Sequence, residues 1–103
     1  MYKISVFIPE SHLEPVKTAM FAAGAGRIGD YDSCSWQCLG SGQFRPLDGA
    51  SPYIGQQGTL ETVQEYKVEM VCADELIRAA IAAMKQAHPY EEPAYDVWRL
   101  EEL

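Results

Sequence analysis

Twice in this chain a run of alternating apolar and polar residues is followed at once by an apolar stripe at helical spacing. That double strand-then-helix order constrains the fold more than any other feature. In the first copy Tyr2, Ile4, Val6 and Ile8 alternate with Lys3, Ser5 and Phe7, and Pro9 stops the run. Ser11-His12-Leu13-Glu14 then reads as a capping box, with Pro15 in the first turn where a missing N–H is harmless. Leu13, Val16, Met20 and Ala23 follow at helical spacing, and Gly24 is a natural terminator. In the second copy Tyr66, Val68, Met70 and Cys72 alternate with Lys67 and Glu69 over residues 65–72. Asp74 is placed as an N-cap, Ile77, Ala80, Ile81 and Met84 form the stripe, Arg78 and Lys85 face away, and Pro89 closes the helix.

A last strand is expected over residues 94–100, with Tyr95, Val97 and Trp98. Between the two copies helical periodicity vanishes. Residues 30–39 read as a strand with Cys34, Trp36 and Cys38 on one face. Residues 40–58, rich in Gly and Pro, read as a hairpin turn, a short strand near Phe44 and a long surface loop. The order β-α-β-(β)-β-α-β predicts an α+β, ferredoxin-like βαββαβ fold: one antiparallel sheet with both helices on one face. At 103 residues the chain is expected to be a single domain spanning 1–103. The other sheet face carries Lys3, Ser5, Phe7, Lys67, Glu69 and Val71. Such a face is either solvated or covered by another subunit, and Phe7 and Val71 favour a subunit.

Charge narrows the partners. Fifteen acidic against eight basic side chains give a net charge of −7, and the basic residues are scattered singly. That surface repels phosphate backbones and anionic lipid, which argues against nucleic acid or a membrane as partner. No apolar run approaches the roughly 20 residues that span a bilayer, and the N-terminus has no signal-peptide pattern, so the cytoplasm is expected. Three cysteines, an odd number, are expected to be reduced thiols there.

Residues 24–29, GAGRIG, fit the G-x-G-x-x-G spacing of dinucleotide-binding folds letter for letter. That fingerprint works when a strand precedes the glycines and a helix follows, so that free N–H groups aim at the pyrophosphate. Here a helix precedes and a strand follows. The glycines therefore read as a helix C-cap and tight turn, with Arg27 left free to meet an anionic group across a subunit boundary.

Cys34 and Cys38, on a strand, would share a face about 13 Å apart, too far to hold one zinc together. The most chemically loaded segment is HPYEEPAYD, residues 88–96. It sets His88 close to Glu91 and Glu92, with Asp96 beyond, a donor set suited to a hard or borderline cation. The same His88 also suits a helix C-terminus, and two prolines pin the turn, so a structural turn competes with a metal or proton-transfer site. With only His12 and His88 in the chain, a two-metal hydrolytic centre within one subunit is not expected. No Ser or Cys has an evident base and orienting acid. Phe44, Arg45, Tyr53 and Ile54 in the long loop either grip a ligand or tuck onto the domain.

Three stretches together, GAGRIGDYDSCSW, GSGQFRPLDGASPYIGQQGTLE and AHPYEEPAYDVWRLEE, closely resemble the domain inserted in larger members of the NGG-interacting-factor-three-like family. The resemblance covers residues 2–101. It implies a domain similar to PII-type signalling proteins and the CutA copper-tolerance protein, ferredoxin-like and trimeric. It marks Gly24, Gly26, Gly29, Tyr31, Arg45, His88, Tyr90, Glu91, Glu92 and Asp96 as signature residues. The larger proteins carry a dinuclear metal site in two flanking lobes that find no counterpart here, so none of those ligands transfers and no enzyme label is inherited. The expectation is a stand-alone homo-oligomeric binding or regulatory module without identified cofactor. Its intersubunit cleft would be lined by the glycine turn with Arg27 and Tyr31, the 40–58 loop with Arg45, and the segment from His88 through Tyr90, Glu91 and Glu92 to Asp96. The occupant would be a small molecule, an ion or a protein. Divalent-metal binding or metal-assisted hydrolysis around His88, Glu91 and Glu92 is the alternative, and an adaptor docking through the loop is a third reading.

Overall fold

Alternation on the first run produces strand β1 (Tyr2–Pro9), and the stripe behind it forms helix α1 (Leu13–Ala22). The middle of the chain gives β2 (Trp36–Phe44) and β3 (Glu61–Cys72); the second stripe gives helix α2 (Ile77–Ala87), and β4 (Tyr95–Arg99) closes the fold. The computed structural model describes residues 1–103 throughout. The four strands form one sheet in the order β2-β3-β1-β4, every pair antiparallel. This is the expected split βαβ plan. Ile4, Val6 and Ile8 of β1 and Val68, Met70 and Cys72 of β3 point to one side, where Leu13, Val16 and Met20 of α1 and Ala80 and Met84 of α2 meet them. These side chains make up the core, and its burial is the main source of stability.

Both helix starts depart from the expected caps. The chain enters α1 through a 3-10 turn at Glu10–His12, so Ser11 lies inside a turn rather than ahead of one. Its hydroxyl pairs with His12 Nδ1 at 2.8 Å, and α1 has no side-chain cap. Another 3-10 turn, Asp74–Leu76, precedes α2, and the Asp74 carboxylate turns away to the Met1 amino group and Arg99. The end of α1 matches expectation. Gly24 at φ +104° donates to Phe21 O at 3.0 Å, and Ala25 donates to Met20 O at 3.1 Å. This is the Schellman pairing, with buried Ala25 beside buried Met20 as its apolar contact. GAGRIG thus leaves a helix instead of starting one.

The middle differs more. Residues 30–35 are not strand: Ile28 and Tyr31 exchange backbone hydrogen bonds around Gly29 and Asp30, and Ser33 sits at φ +57°. β2 starts at Trp36 and runs straight through Gly40-Ser41-Gly42, which read as a turn from sequence, to Phe44. Its partner β3 begins at Glu61 rather than at residue 65, with Phe44 opposite Glu61. Cross-strand pairing has overridden the low strand propensity of the glycines. Beyond the last β1 pair, Pro9 opposite Glu65, these two strands project alone as a ribbon, and the molecule measures 46 × 24 × 24 Å.

The face away from the helices has no cover within the chain. Registered pairs place Trp36, Cys38, Lys67, Glu69, Lys3, Ser5, Phe7, Asp96 and Trp98 there. Trp36 is 61% exposed and Trp98 47%. Ser5 is the exception: it is fully buried at the centre of this face, and its hydroxyl has no partner. No helix is long and apolar enough to cross a membrane, and all three cysteines are free.

Candidate functional site

Chemistry gathers where the ribbon leaves the sheet. There α2 ends at His88, whose N–H donates to Met84 O at 2.9 Å. The imidazole is only 6% exposed. Its Nε2 lies 2.8 Å from Phe7 O, and its Nδ1 accepts the Tyr90 N–H at 3.1 Å. Those partners fix one neutral tautomer, donating through Nε2 and accepting through Nδ1. Burial pulls the His88 pKa down, the charge of His12 adds to that, and the Phe7 carbonyl acts the other way. His88 thus ties the end of α2 to β1 and aims Tyr90.

The Tyr90 ring sits in an aromatic cluster, 4.8 Å from His88 and 6.3 Å from both Phe44 and Tyr53 between centroids. Tyr53 in turn meets His12 edge-on at 5.9 Å. The Tyr90 hydroxyl is buried beside the Glu65 carboxylate, the nearest group to take its proton in a hydrogen bond. Burial, then the neighbouring Glu65 carboxylate, raise its pKa, so the phenol stays protonated.

Glu65 belongs to β3, and its carboxylate lies folded over Gly42, where a Cβ would collide with it. The loop after β2 closes the far side. It is braced by Gly58 N–H to Pro46 O at 2.7 Å, by Gln57 to Ala50 O at 3.0 Å, and by Ser51 N–H to the Glu91 carboxylate at 3.1 Å. Between loop, ribbon and the 90–94 turn lies a cleft of about 420 Å³. Its walls are largely apolar, with Phe44, Tyr53, Ile54 and Tyr90, and its charged groups are Arg45, Glu65, Glu91 and Glu92.

Of the residues singled out in the sequence, the fold brings Arg45, Tyr90, Glu91 and Glu92 together at this cleft, with His88 behind Tyr90. Arg27 and Tyr31 are exposed in the glycine turn, which hydrogen-bonds to β3 at Val71, six residues and about 20 Å along the strand from Glu65. Asp96 is on the open face of β4, opposite Ser5. Within one chain the three expected segments therefore form two sites, not one. Both His88 nitrogens are engaged by backbone groups, Glu91 holds Ser51, and no group of three or more His, Cys, Asp or Glu side chains is arranged to hold a metal ion. In the sequence Glu65 is only the first residue of the second alternating run, 65–72. Its place in the site depends on the Gly42 side of the register, which becomes visible only once β2 and β3 are paired.

Comparison with known proteins fits this architecture. No protein-family model matches the sequence. A GTP cyclohydrolase 1 type 2 homolog from Halalkalibacterium halodurans is 45% identical over 100 residues, 97% of this chain and 27% of that protein. A Bacillus cereus protein described as related to NIF3 superposes with a TM-score of 0.85 at 42% identity, over 98% of this chain and 26% of its own. The chain is related to the NGG-interacting-factor-three-like proteins. It spans about a quarter of the length of the relatives it matches, so the activity in their name is theirs. CutA from Xylella fastidiosa superposes with a TM-score of 0.71 at 20% identity, over 98% of this chain and 84% of its own. That likeness establishes a CutA-like fold.

Proposed function

We propose that this chain works as a homo-oligomeric, non-enzymatic binding module of the PII/CutA kind in the cytoplasm, and that the cleft at the root of the β2–β3 ribbon is its ligand site. The observation that carries this reading is the cleft itself: an aromatic-walled cavity of about 420 Å³ with Arg45, Glu65, Glu91 and Glu92 at its wall. A concave, largely apolar pocket with a few convergent polar groups is the form that small-molecule sites take. No nucleophile with a base and an orienting acid lines the cleft, which favours recognition over acyl-transfer chemistry. The oligomer is supported by the uncovered sheet face with exposed Trp36 and Trp98, and by β2 and β4 as open sheet edges. Light scattering tests the assembly: a trimer or another discrete multimer at micromolar concentration is expected, and a clean monomer removes the intersubunit reading. Differential scanning fluorimetry against a small-molecule library tests binding, and stabilisation by no compound removes the ligand site.

A further inference from the structure

The cleft's charged groups narrow what it can take. Glu65, Glu91 and Glu92 stand against Arg45 alone, so the site carries an excess of negative charge. A phosphate or carboxylate ligand would enter against that field. One acceptor stays open to the cleft: the Glu65 carboxylate, which lies over Gly42 beside the buried Tyr90 hydroxyl. Around it stand the rings of Phe44, Tyr53 and Tyr90, tilted against one another at 6.3 Å between centroids. Aromatic faces attract cations and stack on planar groups, and a carboxylate takes two parallel N–H donors from one planar edge.

We propose that this cleft binds a planar cationic or amidine-type small ligand. Its flat body stacks against the rings of Phe44, Tyr53 and Tyr90, and its N–H edge donates to Glu65. The ligand class rests on the reading of the cleft as a binding site, and it goes further by fixing charge, shape and donor pattern. Glu91 remains on Ser51 and holds the loop closed. Glu92 supplies field without being a contact.

The test uses benzamidine, benzamide and benzoate, which share one shape and differ in charge and donors. Each is titrated into the full isotope-labelled chain and followed by amide chemical shifts. Benzamidine is expected to give saturable shifts confined to residues 42–54, 65 and 90–94, with a Kd on the order of 1 mM, the range of a small fragment. Benzoate is expected to give none, and benzamide weaker ones. Glu65→Gln should weaken benzamidine about tenfold or more, as befits loss of a charge-assisted pair. Gly42→Thr, which displaces the Glu65 carboxylate without altering it, should do the same while its spectrum stays folded. Equal binding of all three probes, tighter binding of benzoate, or a Glu65→Gln variant with undiminished affinity overturns the ligand class and leaves the binding cleft standing. No localised shift with any probe overturns both.

Discussion

His88 makes the fold sensitive to acid. Its imidazole is buried in the neutral form, so the folded state binds its proton less readily than the unfolded chain does. A base whose folded pKa is depressed leaves stability intact above the unfolded value near 6.5. Stability then falls as pH drops below that value and levels off once pH passes the folded pKa. Thermal melts between pH 7.5 and 5.5 should show Tm declining on acidification, at up to about 1.4 kcal/mol per pH unit from this residue. His88→Gln should flatten that slope while lowering Tm throughout. The glycine turn offers a second residue-level contrast. Gly26 sits at φ +80°, with an added Cβ meeting the Phe21 ring at 2.8 Å and Cys34 O at 2.9 Å, while Gly29 at φ +56° has open space. Gly26→Ala should cost about 3 kcal/mol, since it adds a backbone collision to left-handed strain, and Gly29→Ala only about 1 kcal/mol. Paired melts would read this as a Tm drop roughly three times larger for the first variant.

At the scale of elements, α2 holds the second half of the core. Met84 is fully buried on its stripe beside Ala80, and Met84→Ala should cost about 2–5 kcal/mol in urea unfolding through the cavity it leaves. That stripe, like β1 and the β3 alternation, was legible because periodicity reports directly which side faces a core. The caps were not legible. Ser11 and Asp74 have the right identities, but a 3-10 entry before each helix shifts them out of position. β2 was half legible, since Gly40 and Gly42 look like turn residues until β3 pairs with them. The cleft shared this fate: Tyr90, Glu91 and Arg45 were visible as a loaded motif and a loop cation, whereas Glu65 entered only through the fold. Gly42→Thr marks the distinction. It should leave the unfolding free energy from denaturant melts within about 0.5 kcal/mol, because a flexible carboxylate can move aside, while strand propensity rises.

For the molecule as a whole, the two tryptophans report on assembly, since Trp36 and Trp98 both lie on the uncovered face. If copies cover that face, emission should move to longer wavelength on dilution, in step with the loss of scattering mass. Trp98→Glu should shift the equilibrium toward monomer without lowering helix content in circular dichroism. Emission unchanged over a hundredfold dilution, with mass unchanged too, would mean a constant assembly state. If that constant mass is a single chain's, the glycine turn and the ribbon cleft, at opposite ends of one sheet, stay separate.

The Met1 amino group meets Asp74 and, at 3.3 Å, the Glu102 carboxylate, while Leu100 N–H reaches back to Met1 O at 3.0 Å. Entry and exit thus sit side by side on a single spot of the surface. A unit built this way can be spliced into a loop of a host polypeptide, like a bead hung from one knot, and neither partner must bend to accept the other.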